Sequence, residues 1–276
     1  MMEPSSIAEE LLFTTIRIET LGSEGEQKIG TGFIFAFQLK NNSYPFLVTC
    51  KHVVEGAKEG FLTFIKSKEQ KPLLGESYRL RIKNFEKPWF KHKSQNVDVA
   101  ILPFVPILKQ ISNQGVQIFF KSIPDALTPK DTQLEELDAV EDVLFIGYPI
   151  GLWDTENLTP IVRKGITATP VFLDFKGEKQ FLIDASVFPG SSGSPVFIYN
   201  KGTYSEKKTN MVVAGDRILF LVILSAVFTM PDTGEIIVPT QIMSKVRVRQ
   251  LADIGIVFRA ETISEVCKDF LKKLKK

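Results

Sequence analysis

Short apolar runs separated by turn residues occupy most of this 276-residue chain, and they constrain its fold more than any other feature. Residues 14–20 alternate between apolar and polar with a period of two, and glycines open a β-branched and aromatic run over residues 30–37. Similar runs recur at short intervals up to residue 102, and again over residues 143–258. Many short strands with turns between them are typical of sandwiches and barrels, and not of β-α-β units. The sequence therefore predicts an all-β protein.

A segment of different character divides the strands into two series. Residues 111–138 hold Pro124 and Pro129, several polar residues and little periodicity, which is typical of a connector. Two similar series around a connector predict two barrels, over about residues 12–110 and about residues 139–258. The sequence has no repeat of fixed period, which argues against a solenoid.

The last residues follow a helical pattern. Residues 262–265 (TISE) fit a capping box, in which a hydroxyl and a carboxylate satisfy the first free amides of a helix. Apolar residues then recur at helical spacing up to Leu274, and lysines occupy much of the remaining surface. We predict an amphipathic helix over residues 259–276 that docks on its own barrel, with Cys267 as a small core residue. A membrane-surface or calmodulin-like role for this basic helix is the alternative.

Charge and composition argue against several classes of protein. The 34 basic and 32 acidic residues leave a net charge of +2, which gives no electrostatic footprint for nucleic acid or for an anionic membrane. A nucleic-acid-binding barrel of the OB type is therefore disfavoured. Two cysteines at opposite ends of the chain, Cys50 and Cys267, exclude a disulfide scaffold and a cysteine-rich zinc site. With only two histidines, we expect neither a metal nor another cofactor.

The apolar segments bear on the cellular compartment. The first ten residues have neither the basic segment nor the apolar segment of a secretory signal. The longest apolar stretch, residues 218–228, has eleven residues, well short of the ~20 that a membrane helix needs. We therefore expect a cytoplasmic protein with reduced thiols and no membrane contact.

A glycine–serine turn carries the first chemical signal. Residues 188–195 (FPGSSGSP) lie between two apolar strands, and their small side chains let backbone N–H groups converge, as an oxyanion site requires. A serine hydroxyl needs a base, for which His52, just after an apolar strand, is the candidate. Asp98 lies in the apolar run 97–102 and must find a partner, because an unpaired buried charge is costly. It can orient the imidazole, so the ordered set His52, Asp98 and Ser192 indicates nucleophilic catalysis.

This order of histidine, aspartate and serine, with gaps of 46 and 94 residues, resembles that of the trypsin-like serine proteases. The sequence is most similar to the high-temperature-requirement (HtrA/Deg) type, over roughly residues 30–227. Six blocks carry the resemblance in the family's order: an early glycine hairpin at 30–33, the histidine block at 48–57, the aspartate block at 96–102, a Gly-x-Pro-x-Gly turn within 146–152, the segment 165–168, and the nucleophile block at 184–193.

The resemblance implies a fold and a role for each residue of the site. The fold is the chymotrypsin-like pair of six-stranded antiparallel β-barrels, in one protease domain over residues 1–258 with the helix after it. The nucleophile is Ser192, which leaves Ser191 and Ser194 as turn residues, and the N–H groups of Gly190 and Ser192 form the oxyanion hole. The residues implied for substrate binding are Ser186 at the base of the primary specificity pocket, Ala226 and Val227 at its wall, and Ser225 on the strand that hydrogen-bonds the substrate backbone.

Three departures from the family pattern affect what we expect. Ser191 stands where digestive enzymes have an aspartate that pairs with a newly cut N-terminus, so no such zymogen switch is expected. Ser194 replaces a common glycine. About twenty residues follow the last strand, so we expect no PDZ-like domain. His92 lies in a polar segment and is predicted to be a solvated loop residue without a role.

The predicted function is peptide-bond hydrolysis by a serine endopeptidase that acts on proteins or peptides. Because no carboxylate is expected near Ser186, a buried lysine or arginine of the substrate would lack a partner, and Val227 narrows the pocket. Cleavage is therefore predicted after small or medium apolar residues. The alternative is a pseudoprotease that binds a peptide or partner protein without cutting it, although binding alone does not need three triad residues. The sequence does not indicate the oligomeric state.

Overall fold

The computed structural model describes residues 3–209, 211–236 and 244–274, and it describes side chains over residues 3–209, 211–225 and 253–274. Most of the regular structure in these ranges is β-strand. The strands form one large sheet in the N-terminal half, one closed barrel in the C-terminal half, and a separate two-stranded hairpin.

Nine strands form the N-terminal sheet. They are β1 (Thr15–Leu21), β2 (Gln27–Leu39), β3 (Asn42–Thr49), β4 (Glu59–Lys68), β5 (Lys71–Lys83), β6 (Phe90–Lys91), β7 (Ala100–Pro103), β8 (Ile118–Phe119) and β9 (Ile123–Pro124). The main path runs β5-β4-β1-β2-β3-β7-β6. Strand β8 pairs with β4, and β9 lies parallel to β2.

Six strands of the C-terminal half close into a barrel. In chain order this half contains β10 (Asp142–Gly147), β11 (Ile161–Thr167), β12 (Gln180–Asp184), β13 (Pro195–Asn200), β14 (Thr203–Ser205), β15 (Val212–Ala214), β16 (Arg217–Ile236) and β17 (Ser244–Arg259). The order around the barrel is β10-β11-β12-β17-β16-β13. Strands β14 and β15 form the separate hairpin.

Five α-helices connect or flank these sheets in the described ranges. They are α1 (Ile7–Leu11), α2 (Lys51–Val54), α3 (Phe104–Ser112), α4 (Asp131–Glu135) and α5 (Glu261–Lys273). Among the described residues, no helix combines the length and the apolar composition needed to cross a bilayer.

The predicted fold class is confirmed: the chain is mostly β, with a closed six-stranded barrel and a C-terminal helix. The N-terminal half differs from the expectation because it contains nine strands and not six. Two of these, β8 and β9, lie in the segment 111–138 that we expected to be a plain connector. Each strand has two residues, too few for a period of two to show in the sequence. They form because pairing with β4 or β2 satisfies their backbone hydrogen-bonding groups.

Aromatic packing joins the two halves. The ring of Phe220, on β16, lies 5.5 Å from that of Phe33 and 5.6 Å from that of Phe35, both on β2. Phe197, on β13, lies 5.4 Å from the same ring. All four side chains are buried, and each contributes about 1.5–3 kcal/mol of hydrophobic stabilisation. This packing fixes the seam along which the candidate site lies.

Helix α5 packs its apolar face on the N-terminal sheet. Its residues Ile263, Val266 and Cys267 are buried. The ring of Phe270 lies 5.6 Å from that of Phe46, on β3, and 5.5 Å from that of Phe90, on β6. The helix is thus docked on its own chain, and Cys267 is a core residue as predicted.

The predicted capping box of this helix is wrong. Thr262 lies inside the first turn, where it is fully buried and its hydroxyl donates to the carbonyl of Arg259 at 2.7 Å. The carboxylate of Glu265 instead binds the ammonium of Lys179 at 2.7 Å and Nε2 of His92 at 3.0 Å. The prediction that His92 is a solvated loop residue is therefore also wrong, because this contact buries it.

Candidate active site

His52 lies at the surface because of how β3 and α2 pack. The last four residues of β3 are buried, and Val53 and Val54 of α2 are buried as well. The short helix is therefore held to the core by its valines, and the side chain of His52 remains 47% exposed. An exposed imidazole on a fixed backbone can meet both a buried carboxylate and an incoming substrate.

Asp98 holds the histidine through two contacts. Its Oδ2 lies 2.6 Å from Nδ1 of His52, and its Oδ1 accepts the backbone N–H of His52 at 3.1 Å. The hydroxyl of Ser225 donates to the same Oδ2 at 2.5 Å. Burial by itself raises the pKa of Asp98, but the hydrogen bonds and charge of His52, with the Ser225 hydroxyl, outweigh it and lower that pKa. An ionised Asp98 places a proton on Nδ1, which leaves Nε2 available as a base.

Ser192 is near this pair but is not hydrogen-bonded to it. Its Oγ donates to the backbone carbonyl of Ser225 at 2.9 Å, and the described residues show no hydrogen bond between it and His52. Ser225 therefore bridges the site: its hydroxyl contacts Asp98 and its carbonyl contacts Ser192. Catalytic hydrogen bonds commonly form only when substrate binds.

The turn around Ser192 leaves two backbone donors unused. The amides of Ser191, Gly193 and Ser194 donate to the carbonyls of Phe188, Leu224 and Ser191, at 3.0, 2.7 and 2.9 Å. The amides of Gly190 and Ser192 donate to no acceptor within the described part of the chain. Two free N–H groups two residues apart, beside a serine hydroxyl, can together bind the oxygen of a tetrahedral intermediate.

Hydrogen bonds to the preceding carbonyl groups fix the orientation of the free amides of Gly190 and Ser192. In a trans peptide, the C=O and the following N–H point in opposite directions. The carbonyl of Pro189 accepts from the amide of Ile150 at 2.5 Å, and the carbonyl of Ser191 accepts from the amide of Ser194. The N–H of Gly190 therefore points away from the amide of Ile150, and the N–H of Ser192 points away from the amide of Ser194. Such preorganised donors need no rearrangement as charge develops.

Glycine is required twice in this turn. Gly190 and Gly193 have φ of +91° and +93°, values that residues other than glycine rarely adopt. A Cβ on Gly190 would lie 2.4 Å from the carbonyl oxygen of Tyr148, and one on Gly193 would lie 1.8 Å from that of Thr31. The turn is therefore pressed between the segment at Tyr148 and strand β2.

Thr31, which we assigned no role from sequence, anchors the turn from the other half of the molecule. Its N–H donates to the carbonyl of Ser192 at 2.9 Å, and its Oγ1 donates to the carbonyl of Gly190 at 2.9 Å while accepting the amide of Tyr148 at 3.1 Å. The side chain is fully buried. The sequence signal was a hydroxyl between two glycines in a strand, where a hydroxyl must find a partner once buried.

The other predicted substrate-binding residues and the two serines beside Ser192 make fewer contacts among the described residues. Ser186 is partly buried, and the structure gives it no side-chain partner among the described residues. The side chains of Ala226 and Val227, predicted for the wall of the specificity pocket, lie outside the described residues. Ser191 and Ser194, the neighbours of Ser192, have buried hydroxyls without a hydrogen-bond partner in the described part of the chain.

One cluster near the site has metal-ligand composition. Ligand atoms of Cys50, His52 and Asp98 all lie within 4.8 Å of one another. Burial, and then the charge of Asp98, raise the pKa of the Cys50 thiol well above its ordinary value. A protonated thiol is a poor ligand, and Asp98 already binds His52. The donor set therefore fits a histidine–carboxylate pair better than a metal centre.

Comparison with known proteins places the chain in a family. The family model described as a trypsin-like peptidase domain matches residues 30–203. A comparison with curated proteins gives no match. Among solved structures, an inactivated protease paralogue of the scabies mite is 14% identical, with a TM-score of 0.46, covering 96% of this chain and 97% of its own.

Two further solved structures are similar at the same level. The catalytically active tobacco etch virus protease in complex with product is 13% identical, with a TM-score of 0.44, covering 83% of this chain and 73% of its own. A protease of M. tuberculosis in its active form is 14% identical, with a TM-score of 0.42, covering 96% of this chain and 91% of its own. The match to the family model spans more than half of the sequence. The chain therefore belongs to the family of trypsin-like peptidase domains.

Proposed function

We propose that the protein is a serine endopeptidase that hydrolyses peptide bonds through an acyl-enzyme on Ser192. The observation that supports this proposal is the arrangement around Asp98, which binds both His52 and the hydroxyl of Ser225, while the carbonyl of Ser225 binds Ser192 next to two free amides. Membership of the trypsin-like peptidase family supports the reaction class. The proposed protease domain spans residues 1–258, with the helix after it.

The mechanism begins with rotation of Ser192. Its hydroxyl leaves the carbonyl of Ser225 for Nε2 of His52, which takes the proton as Oγ attacks the substrate carbonyl carbon. The oxyanion binds the amides of Gly190 and Ser192. The imidazolium, held by Asp98, then protonates the leaving amine as the C–N bond breaks. Water, activated by the same imidazole, releases the acid and restores the serine.

A covalent probe tests this proposal against its rival. The hydrogen bond from Ser192 to Ser225 favours a pseudoprotease if it is permanent, because the hydroxyl proton then goes to a carbonyl and not to His52. We expect a fluorophosphonate to label wild-type protein at Ser192, and to label neither Ser192→Ala nor His52→Ala, since it needs an activated serine. Modified peptides are identified by mass spectrometry. Folded wild-type protein that stays unlabelled would favour the pseudoprotease.

We also propose cleavage after small or medium apolar residues. Ser186 provides no carboxylate for a buried cationic side chain, and an unpaired buried charge is costly. In a positional peptide library we expect alanine, valine or leucine before the cleaved bond. Strong selection of arginine or lysine there would contradict this assignment.

Thr31 is proposed as a positioning residue for the oxyanion turn. Thr31→Val keeps the shape but removes the hydroxyl that joins Gly190 to Tyr148. We expect kcat to fall by about 10- to 100-fold with KM nearly unchanged, because displaced oxyanion donors act mainly on the transition state. Steady-state kinetics on a peptide substrate measure this split.

Two variants separate this role from general destabilisation. Thr31→Ser retains the hydroxyl and should recover most of the lost kcat. Thr262→Val removes another fully buried hydroxyl that donates to a carbonyl, but one in α5, and kcat should stay near the wild-type value. Equal losses in Thr31→Val and Thr262→Val would show that stability, and not position, limits the reaction.

A further inference from the structure

We infer that the groove between β6 and α5 is a docking surface for an acidic, extended segment of a protein partner that carries an apolar residue. This β6–α5 groove has a volume of about 550 Å³. Its floor consists of Trp89, Phe90 and Val266, and its rim of Lys91, Lys93, Lys272 and Lys273. The inference goes beyond peptide hydrolysis, because it concerns a surface that contains none of the proposed catalytic residues.

The rim carries an excess of positive charge. Lys91 is paired with Glu86 at 2.5 Å, but Asp269 lies 3.9 Å from Lys93 and 4.0 Å from Lys272. Both of these lysine side chains are 77% exposed, so the long contacts are weak ion pairs. The whole chain has a net charge of only +2. Four ammonium groups against two carboxylates therefore form a local positive surface, complementary to an acidic partner.

The floor offers more than charge. Phe90 is partly exposed, and its ring lies under the ammonium of Lys273, at 4.6 Å. Trp89 and Val266 line the floor beside it. An apolar side chain fits this aromatic and aliphatic surface, and an acidic residue on either side of it would face the lysines of the rim.

The position of β6 favours an extended occupant. The strand ends the path β5-β4-β1-β2-β3-β7-β6, and among the described strands it pairs with β7 alone. A sheet edge can accept a further strand from another chain. The loop after β6 is tied to the candidate active site, since the ammonium of Lys51, beside His52, donates to the carbonyl of Ser94 at 2.5 Å. A partner docked here would be held on the half of the molecule that carries His52 and Asp98.

Peptide binding tests the inference without requiring hydrolysis. The probe is a fluorescein-labelled peptide, Glu-Asp-Phe-Glu-Glu-Leu-Asp, titrated with the full chain as Ser192→Ala and followed by anisotropy. We expect saturable binding that weakens as salt is added. The double variant Lys93→Glu and Lys272→Glu should weaken binding by about tenfold or more, because it reverses charge that faces the peptide. Both side chains are largely exposed, so the fold should not change.

The controls separate this surface from general attraction of anions. The double variant Lys201→Glu and Lys208→Glu makes the same change of charge at exposed lysines outside the groove, and should bind as before. A polyglutamate peptide without apolar residues should bind more weakly than the probe. The inference is overturned if the probe does not bind, or if both double variants weaken it equally. It is also overturned if polyglutamate, single-stranded DNA or anionic vesicles bind as tightly as the probe.

Discussion

Replacing Ser192 with alanine is expected to lower kcat for peptide hydrolysis by about a million-fold, the loss that follows removal of a serine protease nucleophile. In the proposed mechanism the hydroxyl oxygen forms the acyl bond, and a methyl group cannot replace it. The Ser192 hydroxyl makes one hydrogen bond within the described structure, to Ser225, so its loss should change the melting temperature little. The measurements are kcat on a fluorogenic peptide and thermal unfolding by circular dichroism.

Ser194→Ala is the matched control for this variant. Ser194 is two residues away, fully buried, and its hydroxyl has no partner among the described residues. Its removal should leave kcat within a few-fold of the wild-type value. Substantial cleavage by Ser192→Ala, with loss in Ser194→Ala or Ser191→Ala, would show that the nucleophile has been wrongly assigned.

The second large effect is expected for Asp98→Asn, with kcat lower by about 10⁴-fold. The carboxylate holds the proton on Nδ1 of His52, whereas an amide that donates to Nδ1 would move the proton to Nε2 and remove the base. Ser225→Ala removes only the hydroxyl contact to Asp98 and keeps the carbonyl that meets Ser192. Its loss of kcat should be far smaller. Similar losses in the two variants would contradict the role given to the Asp98–His52 pair.

The same carboxylate predicts how stability changes with pH. The pKa of Asp98 is lower in the native state than its ordinary value. Its contribution is therefore fully present above the unfolded-state pKa of about 3.9, and it is lost as the pH falls through the lower native value. Urea unfolding should show a stability difference between wild type and Asp98→Asn that shrinks from about pH 6 to about pH 3. A difference that stays constant would contradict this coupling.

Several features of the fold were predictable because they depend on local pattern. The period-two run at residues 14–20 corresponds to β1, the β-branched and aromatic run at residues 30–37 lies in β2, and the helical spacing after residue 262 corresponds to α5. A strand or helix with one buried face leaves such a period in its own sequence. The two-residue strands β8 and β9 leave none, so the size of the N-terminal sheet could not be predicted.

The residues of the candidate site were recognisable, but their contacts were not. Composition around His52, Asp98 and Ser192 indicated which side chains carry reactive groups. The partner of each group depends on where distant strands end. Ser192 binds the Ser225 carbonyl, and Thr31, from the other half of the chain, holds the turn that contains Ser192. The Ser225 contact has no local signature in the sequence, and the Thr31 hydroxyl between two glycines indicates that it needs a partner but not which one.

The end of the chain shows the same division. The sequence correctly placed a helix with Cys267 on its buried face, since that follows from helical spacing. It wrongly paired Thr262 with Glu265, because a capping box is only one of several ways to satisfy a helix terminus. In the folded protein the Glu265 carboxylate instead binds the ammonium of Lys179 and Nε2 of His92.

The sequence alone therefore determined the strand-rich architecture, the terminal helix and the choice of candidate reactive side chains. Each of these depends on the residue type and on neighbours a few positions away. Tertiary structure decided the rest: the Ser225 bridge, the free and fixed amides of Gly190 and Ser192, the anchor at Thr31 and the charged groove beside α5. These arise where segments far apart in sequence meet, and hydrogen bonds form with whichever donor or acceptor packing brings within reach.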